Sequence, residues 1–357
     1  MTVVDYVEKA LRDKASDIHL VCGLTPRYRV DGEIQEMGET PLTAEDCVAV
    51  AHELAGEEYD QAEQVGEADL ALTIAGVRCR INLFRQQAAW SAAIRLLNEH
   101  IPDLKELGLP PVVEEFPYYS QGLVLITGET GSGKSTTLAA VLNQINQNEA
   151  KHILTLEDPI EYVYTPKRCV INQREIGRDT GSFAAGLRAA LREDPDVILV
   201  GEMRDLETIE TALTAAETGH LVFGTVHTNS AADSIDRIVD VFPAERQQQI
   251  RLQLSMTLKA VLSQQLLPKV GGGRVLACEV MKTDGAIRNL IREGKTPQIA
   301  NTIQTTGALG NILMDKALQN LFGVGAISRE TFEGALRDPS QAGKLDAGRA
   351  WGQPRRG

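Results

Sequence analysis

The sequence predicts an α/β chain in two parts, a small α+β unit followed by a mostly parallel sheet with crossover helices. Three observations carry that expectation. Residues 77–84 alternate cleanly, with Val77, Cys79, Ile81 and Leu83 pointing one way and Arg78, Arg80 and Asn82 the other, as on a half-buried strand. From Gly122 onward, short apolar runs at 123–127, 153–156, 197–200 and 221–226 alternate with helical stretches. Between the two patterns, Pro102, Gly108, Pro110, Pro111 and Pro117 punctuate the chain and mark a linker. A length of 357 residues suits two domains, expected at 1–100 and 118–335, with a linker at 101–117 and a flexible tail at 336–357.

An amphipathic helix is expected first, because Val4, Val7 and Leu11 share one face at 3.6-residue periodicity. Residues 16–20 and 26–30 read as short strands that turn at Asp31-Gly32, and a second helix is expected over 44–58. In the second part, 203–218 predicts a helix whose apolar face is Leu206, Ile209, Leu213 and Ala216, ended by Gly219. Residues 240–335 read as predominantly helical.

Composition narrows the function classes. Hydrophobic residues make up 43% and charged residues 24%, which excludes a wholly disordered or fibrous chain. A net charge of −13 argues against a duplex-DNA binder that works by phosphate neutralisation. The longest apolar runs fall far short of the roughly 20 residues that span a bilayer. Asp5, Glu8 and Asp13 stand where a secretory leader has basic and apolar residues, so a cytoplasmic protein is expected. Five scattered cysteines (Cys22, Cys47, Cys79, Cys169 and Cys278) suit reduced thiols better than a disulfide framework or a zinc site.

Gly128-Glu129-Thr130-Gly131-Ser132-Gly133-Lys134-Ser135 matches G-x-x-x-x-G-K-[ST] at every fixed position, between an expected strand and an expected helix. Glycines let backbone N–H groups turn inward around phosphate oxygens, and a helix N-terminus adds partial positive charge. Lys134 supplies a cation to the β- and γ-phosphates, and the Ser135 hydroxyl, followed by Thr136, is placed to ligate Mg²⁺. Asp196 to Glu202 reads as a buried strand with an acid at its C-terminal end, where ligands gather in open α/β sheets. Glu202 there is placed to polarise a water for attack on the γ-phosphate. Gly201 occupies the position of the usual Walker B aspartate, so direct Mg²⁺ coordination from this strand is not expected; Ser135, phosphates and waters would hold it.

Further groups sit at other strand ends. Glu157, Asp158 and Glu161 follow the strand at 153–156, suited either to ordering water or metal or to a solvated acidic turn. His220 and His227 bracket the strand at 221–226, and each reads either as a γ-phosphate sensor that positions Glu202 or as a satisfied core histidine. Arg78 and Arg80 share a strand face in the first domain, suiting either a γ-phosphate bound by a neighbouring subunit or a solvated basic face.

Taken together, these residues resemble the type IV pilus retraction ATPases, PilT-type members of the secretion-ATPase superfamily, from about Ser16 to about Ser328. The marks are Ser16-Asp-Ile-His-Leu with Arg29-Val-Asp-Gly32, the Walker A run, an "Asp box" over 156–161, the run 191–205, and a "His box" over 219–228. Most diagnostic is Ala286-Ile287-Arg288-Asn289-Leu290-Ile291-Arg292-Glu293, which resembles the helix motif of retraction motors. By itself that stretch is an amphipathic helix with an apolar stripe of Ile287, Leu290 and Ile291, which suits ordinary packing as well as a partner surface. The resemblance implies a PAS-like N-terminal domain, a RecA-like P-loop ATPase domain with a helical C-terminal part, and assembly as a homohexamer. It further implies ATP and Mg²⁺ between the domains, Glu202 as catalytic glutamate, and Arg78 and Arg80 completing the site. A hinge at 101–117 would let hydrolysis move one domain against its neighbour. The ring would act on the inner-membrane platform protein of the pilus machine, at the cytoplasmic face and peripheral to the membrane, returning pilin subunits to it, with no nucleic-acid partner. Glu129 departs from the proline expected at its position. Rival readings are a pilus-assembly or type II secretion ATPase, whose larger N-terminal region and four-cysteine element are not in this sequence, a RecA-like nucleic-acid translocase, and a non-hydrolysing nucleotide-binding scaffold.

Overall fold

The structure, a computed structural model, describes residues 1–30, 32–97 and 100–337; Asp31 of the expected turn and residues 338–357 of the expected tail lie outside them. Two compact units are present. Unit 1 is Met1–Ile101 with Pro159–Tyr164, and unit 2 is Pro102–Asp158 with the chain from Thr165 onward.

Unit 1 begins with α1 (Val3–Arg12), closed at its start by a reciprocal capping box in which Thr2 Oγ1 accepts from Asp5 N and Thr2 N donates to Asp5 Oδ2. Its buried stripe is Val3, Tyr6, Val7 and Ala10, while Val4 and Leu11 are exposed. The helix therefore forms as expected but buries the neighbouring face. Tyr6 and Ala10, which extend the i, i+3, i+4, i+7 series from Val3, outweigh the two larger aliphatics. Strands β1 (Asp17–Val21), β2 (Arg27–Val30) and β3 (Glu33–Glu36) come next, then α2 (Ala44–Ala55), a short 3₁₀ turn and α3 (Tyr59–Val65). Strands β4 (Glu67–Ile74), β5 (Val77–Gln86) and β6 (Ala89–Leu96) complete an all-antiparallel sheet of order β3-β2-β1-β6-β5-β4. One face of this sheet carries the core. Val77, Cys79, Ile81 and Leu83 are all buried, as their alternation predicts, and join Val7, Ile18, Leu54, Trp90 and Ile94. Burying an Ile or Leu this fully contributes on the order of 2 kcal/mol.

Unit 2 begins earlier than the sequence suggests. All of the expected linker at 101–117 except Ile101 belongs to unit 2, where 3₁₀ segments at Leu104–Leu107 and Pro111–Tyr118 bury Leu104, Val113 and Phe116. Next come β7 (Gly122–Thr127), α4 (Lys134–Asn148), β8 (His152–Glu157), β9 (Val170–Glu175), α5 (Phe183–Ala190), β10 (Val197–Val200), α6 (Leu206–Glu217) and β11 (Leu221–Val226). Helices α7 (Ala231–Asp240) and α8 (Ala244–Thr257) lead to strands β12 (Leu258–Pro268) and β13 (Arg274–Lys282). Four further helices close the unit: α9 (Gly285–Arg292), α10 (Ile299–Thr305), α11 (Met314–Gly323) and α12 (Arg329–Ala335). The seven-stranded sheet has the order β13-β12-β7-β11-β10-β8-β9, and every pairing is parallel except the β12–β13 hairpin.

That hairpin corrects the expectation of a predominantly helical 240–335. β12 is buried along most of its length, so it shows none of the alternation that marks a half-exposed strand. Its tight connection is Gly271-Gly272-Gly273, all three with positive φ. Four of the five α/β runs from β7 to β11 match strands expected from the sequence; β9 is the additional one. Among the described residues, no helix is long and apolar enough to cross a membrane.

Candidate nucleotide site

The phosphate loop connects β7 to α4. β7 is buried on both faces and delivers Gly128 at the C-terminal edge of the sheet. Gly128, Gly131 and Gly133 hold φ of +141°, +81° and +91°, a region L-residues with side chains avoid. At Gly128 a Cβ would also lie 2.4 Å from Gln264 O and 2.6 Å from Ser132 Oγ. Helix α4 then opens without a side-chain cap, whereas α6 and α7 are capped by Asp205 and Ser230. Its first N–H groups are thus left for an anion. The Ser132 hydroxyl is buried without a hydrogen-bond partner, and Lys134 Nζ bridges Gly128 O at 2.7 Å and Glu129 O at 2.9 Å. An orphaned hydroxyl, uncapped amides and a lysine around a glycine cradle fit a bound polyphosphate, with Ser135 and Thr136 in the first turn of α4.

Glu202 follows β10, two places along the sheet from β7 in the order β7-β11-β10. Its Oε1 accepts from His227 Nε2 at 2.9 Å and is paired with Arg204 Nε. His227 follows β11, the strand between β7 and β10. Burial and Lys134, in that order, push the His227 pKa below its ordinary value, against a smaller opposing pull from Glu202. A neutral imidazole whose Nε2 faces a carboxylate oxygen carries its proton there and donates it.

The structure also explains why no aspartate precedes Glu202. A Cβ on Gly201 would lie 2.9 Å from Leu156 O and 3.3 Å from the Glu157 Cα, and Gly201 N donates to Leu156 O at 2.8 Å. Close approach of β8 therefore excludes any side chain from that position. The same approach sets Glu157 next to Gly201, where its Oε1 accepts from Thr155 Oγ1 at 2.6 Å and Gln173 Nε2 at 3.2 Å.

Other expected site residues are placed elsewhere. His220 lies at the opposite edge of the sheet. β11 starts beside Gly122 and ends beside Thr127, and a strand of this length spans about 20 Å. The His220 ring instead closes the end of α6, with Nδ1 3.0 Å from Ala215 O. Asp158 is exposed beyond β8. Glu161, Arg78 and Arg80 belong to unit 1, where Arg78 Nε donates to Ile160 O at 3.3 Å and Arg80 is exposed. In α9, capped by Asp284, Ile287 and Ile291 are buried and Leu290 packs partly against the same core. Ala286, Asn289, Arg292 and Glu293 face solvent and Arg288 is half-buried, which is the stripe the sequence predicts. Among the described residues, no group of three or more His, Cys, Asp or Glu side chains is arranged to hold a metal ion.

Three contributors were not expected. Gln264 underlies the loop and donates to Thr137 Oγ1 at 2.8 Å; it lies in the stretch read as helical, so no sequence signal pointed to it. Asn229 Nδ2 donates to Glu129 Oε1 at 3.2 Å, joining the loop after β11 to the phosphate loop. Arg204 stands two residues past Glu202, and that spacing was the available signal. A cavity of about 550 Å³ opens beside the phosphate loop, between Thr130 and Ser132, Gln264 and Leu266 of β12, and Thr331 and Ala335 of α12.

Comparison with known proteins yields consistent relatives. A family described as "Type II/IV secretion system protein" matches residues 2–321. A type IV pilus retraction ATPase, PilT, of Pseudomonas aeruginosa is 49% identical over 332 residues, covering 92% of this chain and 96% of that protein. A twitching motility protein of Neisseria gonorrhoeae is 47% identical over 309 residues, covering 86% of this chain and 83% of that protein. A crystal structure of the pilus retraction motor PilT with bound ADP superposes with a TM-score of 0.90 at 49% identity, over 96% of this chain and 98% of that one.

Proposed function

Because this chain belongs to the type II/IV secretion system protein family, we propose that it is a hexameric ATP-hydrolysing motor that powers type IV pilus retraction. The convergence of Lys134, Glu202 and His227 at the C-terminal edge of one parallel sheet carries the proposal. The loop amides and Lys134 hold the phosphates and orient the γ-phosphoryl group. Glu202 accepts a proton from the attacking water as the new P–O bond forms and the bond to the ADP oxygen breaks. Neutral His227 holds the Glu202 carboxylate in place by donating to Oε1. Ser135 would hold Mg²⁺ together with the phosphates, and the ion would neutralise the developing charge.

Arg78 and Arg80 reach the site of a neighbouring copy, which makes hydrolysis depend on the ring. The units move against each other where the chain passes between them, at 101/102, 158/159 and 164/165. The motor works in the cytoplasm at the face of the inner membrane, against the platform protein of the pilus, and pilin returns to the membrane. The 49% identity to a retraction ATPase over nearly the whole of both chains supports retraction over assembly.

Cells that rely on this chain and carry Glu202→Gln should display surface pili that accumulate without retracting and should not twitch. Loss of pili would identify an assembly motor instead, and normal retraction would overturn the motor assignment.

A further inference from the structure

We propose that Arg204 is the positioning residue of the hydrolytic base; the inference rests on Glu202 being that base. The backbone that carries Arg204 is fixed at each side. Gly201 N donates to Leu156 O of β8, Met203 N donates to Thr225 O of β11 at 3.0 Å, and Asp205 Oδ1 caps α6 by accepting from Thr208 N. Met203 itself is buried. From this anchored turn the Arg204 side chain, 74% exposed, reaches back to Glu202, which is only 20% exposed.

Arg204 Nε and His227 Nε2 both engage the same oxygen, Oε1. Two donors on one oxygen fix the carboxylate plane and leave Oε2 as the acceptor for a water proton. An ion pair this exposed adds little to fold stability, so stability does not account for it; orientation of the carboxylate does. Arg204 also acts on the partner residue, because its charge adds to burial and Lys134 in keeping His227 neutral. His227 thereby stays a single-proton donor to Oε1. The charged and titratable groups on the carboxylate are Arg204 on its own turn and His227 from the end of β11; Lys134 at the start of α4 acts on His227, and the backbone of Glu157 at the end of β8 lies against Gly201. Of the two donors Arg204 is the more exposed, at 74% against 40% for His227, so its removal disturbs the surrounding packing least.

The test is the split between kcat and KM for ATP, measured on the full-length protein for wild type, Arg204→Ala, Arg204→Lys and Glu202→Gln. For Arg204→Ala we expect kcat to fall about tenfold and KM to change less than about twofold. Arg204→Lys should restore only part of kcat, because it returns the charge but lacks the planar donor. An unchanged kcat, a rise confined to KM, or no recovery of kcat in Arg204→Lys overturns the inference, provided that Glu202→Gln is inactive. Wild-type turnover by Glu202→Gln overturns the base assignment itself, and this inference with it.

Discussion

The two sheets of this molecule present their chemistry in different ways. In unit 2, β7, β10 and β11 are buried on both faces, so their side chains make core and only their C-terminal ends are free to do chemistry. Three short loops from those ends bring Lys134, Glu202 and His227 together, although 68 and 25 residues of chain separate them in turn. In unit 1, the antiparallel sheet buries one face and presents Arg78 and Arg80 on the other, as side chains of the strand itself. A site at strand ends has its residues brought together by the fold of one unit. A site on a strand face is a surface, and its chemistry depends on what is set against it.

The largest expected effect breaks the strand-end site without touching its geometry. Glu202→Gln keeps the size and the hydrogen bond from His227 but cannot take a proton, so steady-state phosphate release should fall by about 100-fold to 10,000-fold, with ATP binding retained by calorimetry. Lys134→Ala should act on binding instead. Losing a charge-assisted contact worth about 1.5–3 kcal/mol weakens ATP affinity by about tenfold to 150-fold, which the same calorimetry reads. Gly201→Ala tests whether β8 and β10 are as close as the strand register requires. The added methyl has to displace Leu156 O or the Glu157 backbone, so thermal melting should show a loss of about 1–3 kcal/mol, together with reduced turnover.

The smallest effect concerns pH. Burial and Lys134 hold the His227 pKa below its ordinary 6.5, so the unfolded chain takes up this proton at a higher pH than the folded one. The corresponding stability is fully present above about pH 6.5 and is lost as pH falls through the lower, folded value. His227→Gln should therefore flatten the stability–pH curve slightly on the acidic side; His227 is 40% exposed, which keeps the change small. An unchanged curve would show that His227 is not kept neutral by its surroundings.

Much of the site was legible in the sequence because its residues sit in contiguous runs with local geometric demands. The phosphate loop requires glycines at fixed spacing, and Glu202 follows an uninterrupted apolar strand. Where contacts depend on register, sequence spacing misled. His220 and His227 flank one strand symmetrically, but a parallel sheet has two chemically different edges, and His220 lies on the edge away from the loop. The β12–β13 hairpin was hidden because β12 is buried on both faces and shows no alternation, and with it went Gln264 beneath the loop. Only Gly271–Gly273 gave a turn signal. For α1 the period was right and the face was wrong by one residue, because a tyrosine ring buries more area than a valine. Gly201, which reads as a gap in the Walker B pattern, is required by the approach of β8.

In the proposed motor, the strand-end site turns over ATP only within a ring that brings another copy's arginines to it. Solution mass with and without ATP, measured alongside phosphate release from the same sample, tests that claim most directly. The expected result is a hexamer that hydrolyses ATP, with release per chain falling as the ring is diluted apart. A stable monomer that hydrolyses ATP at the same rate per chain, or a hexamer that binds ATP and releases no phosphate, would contradict it.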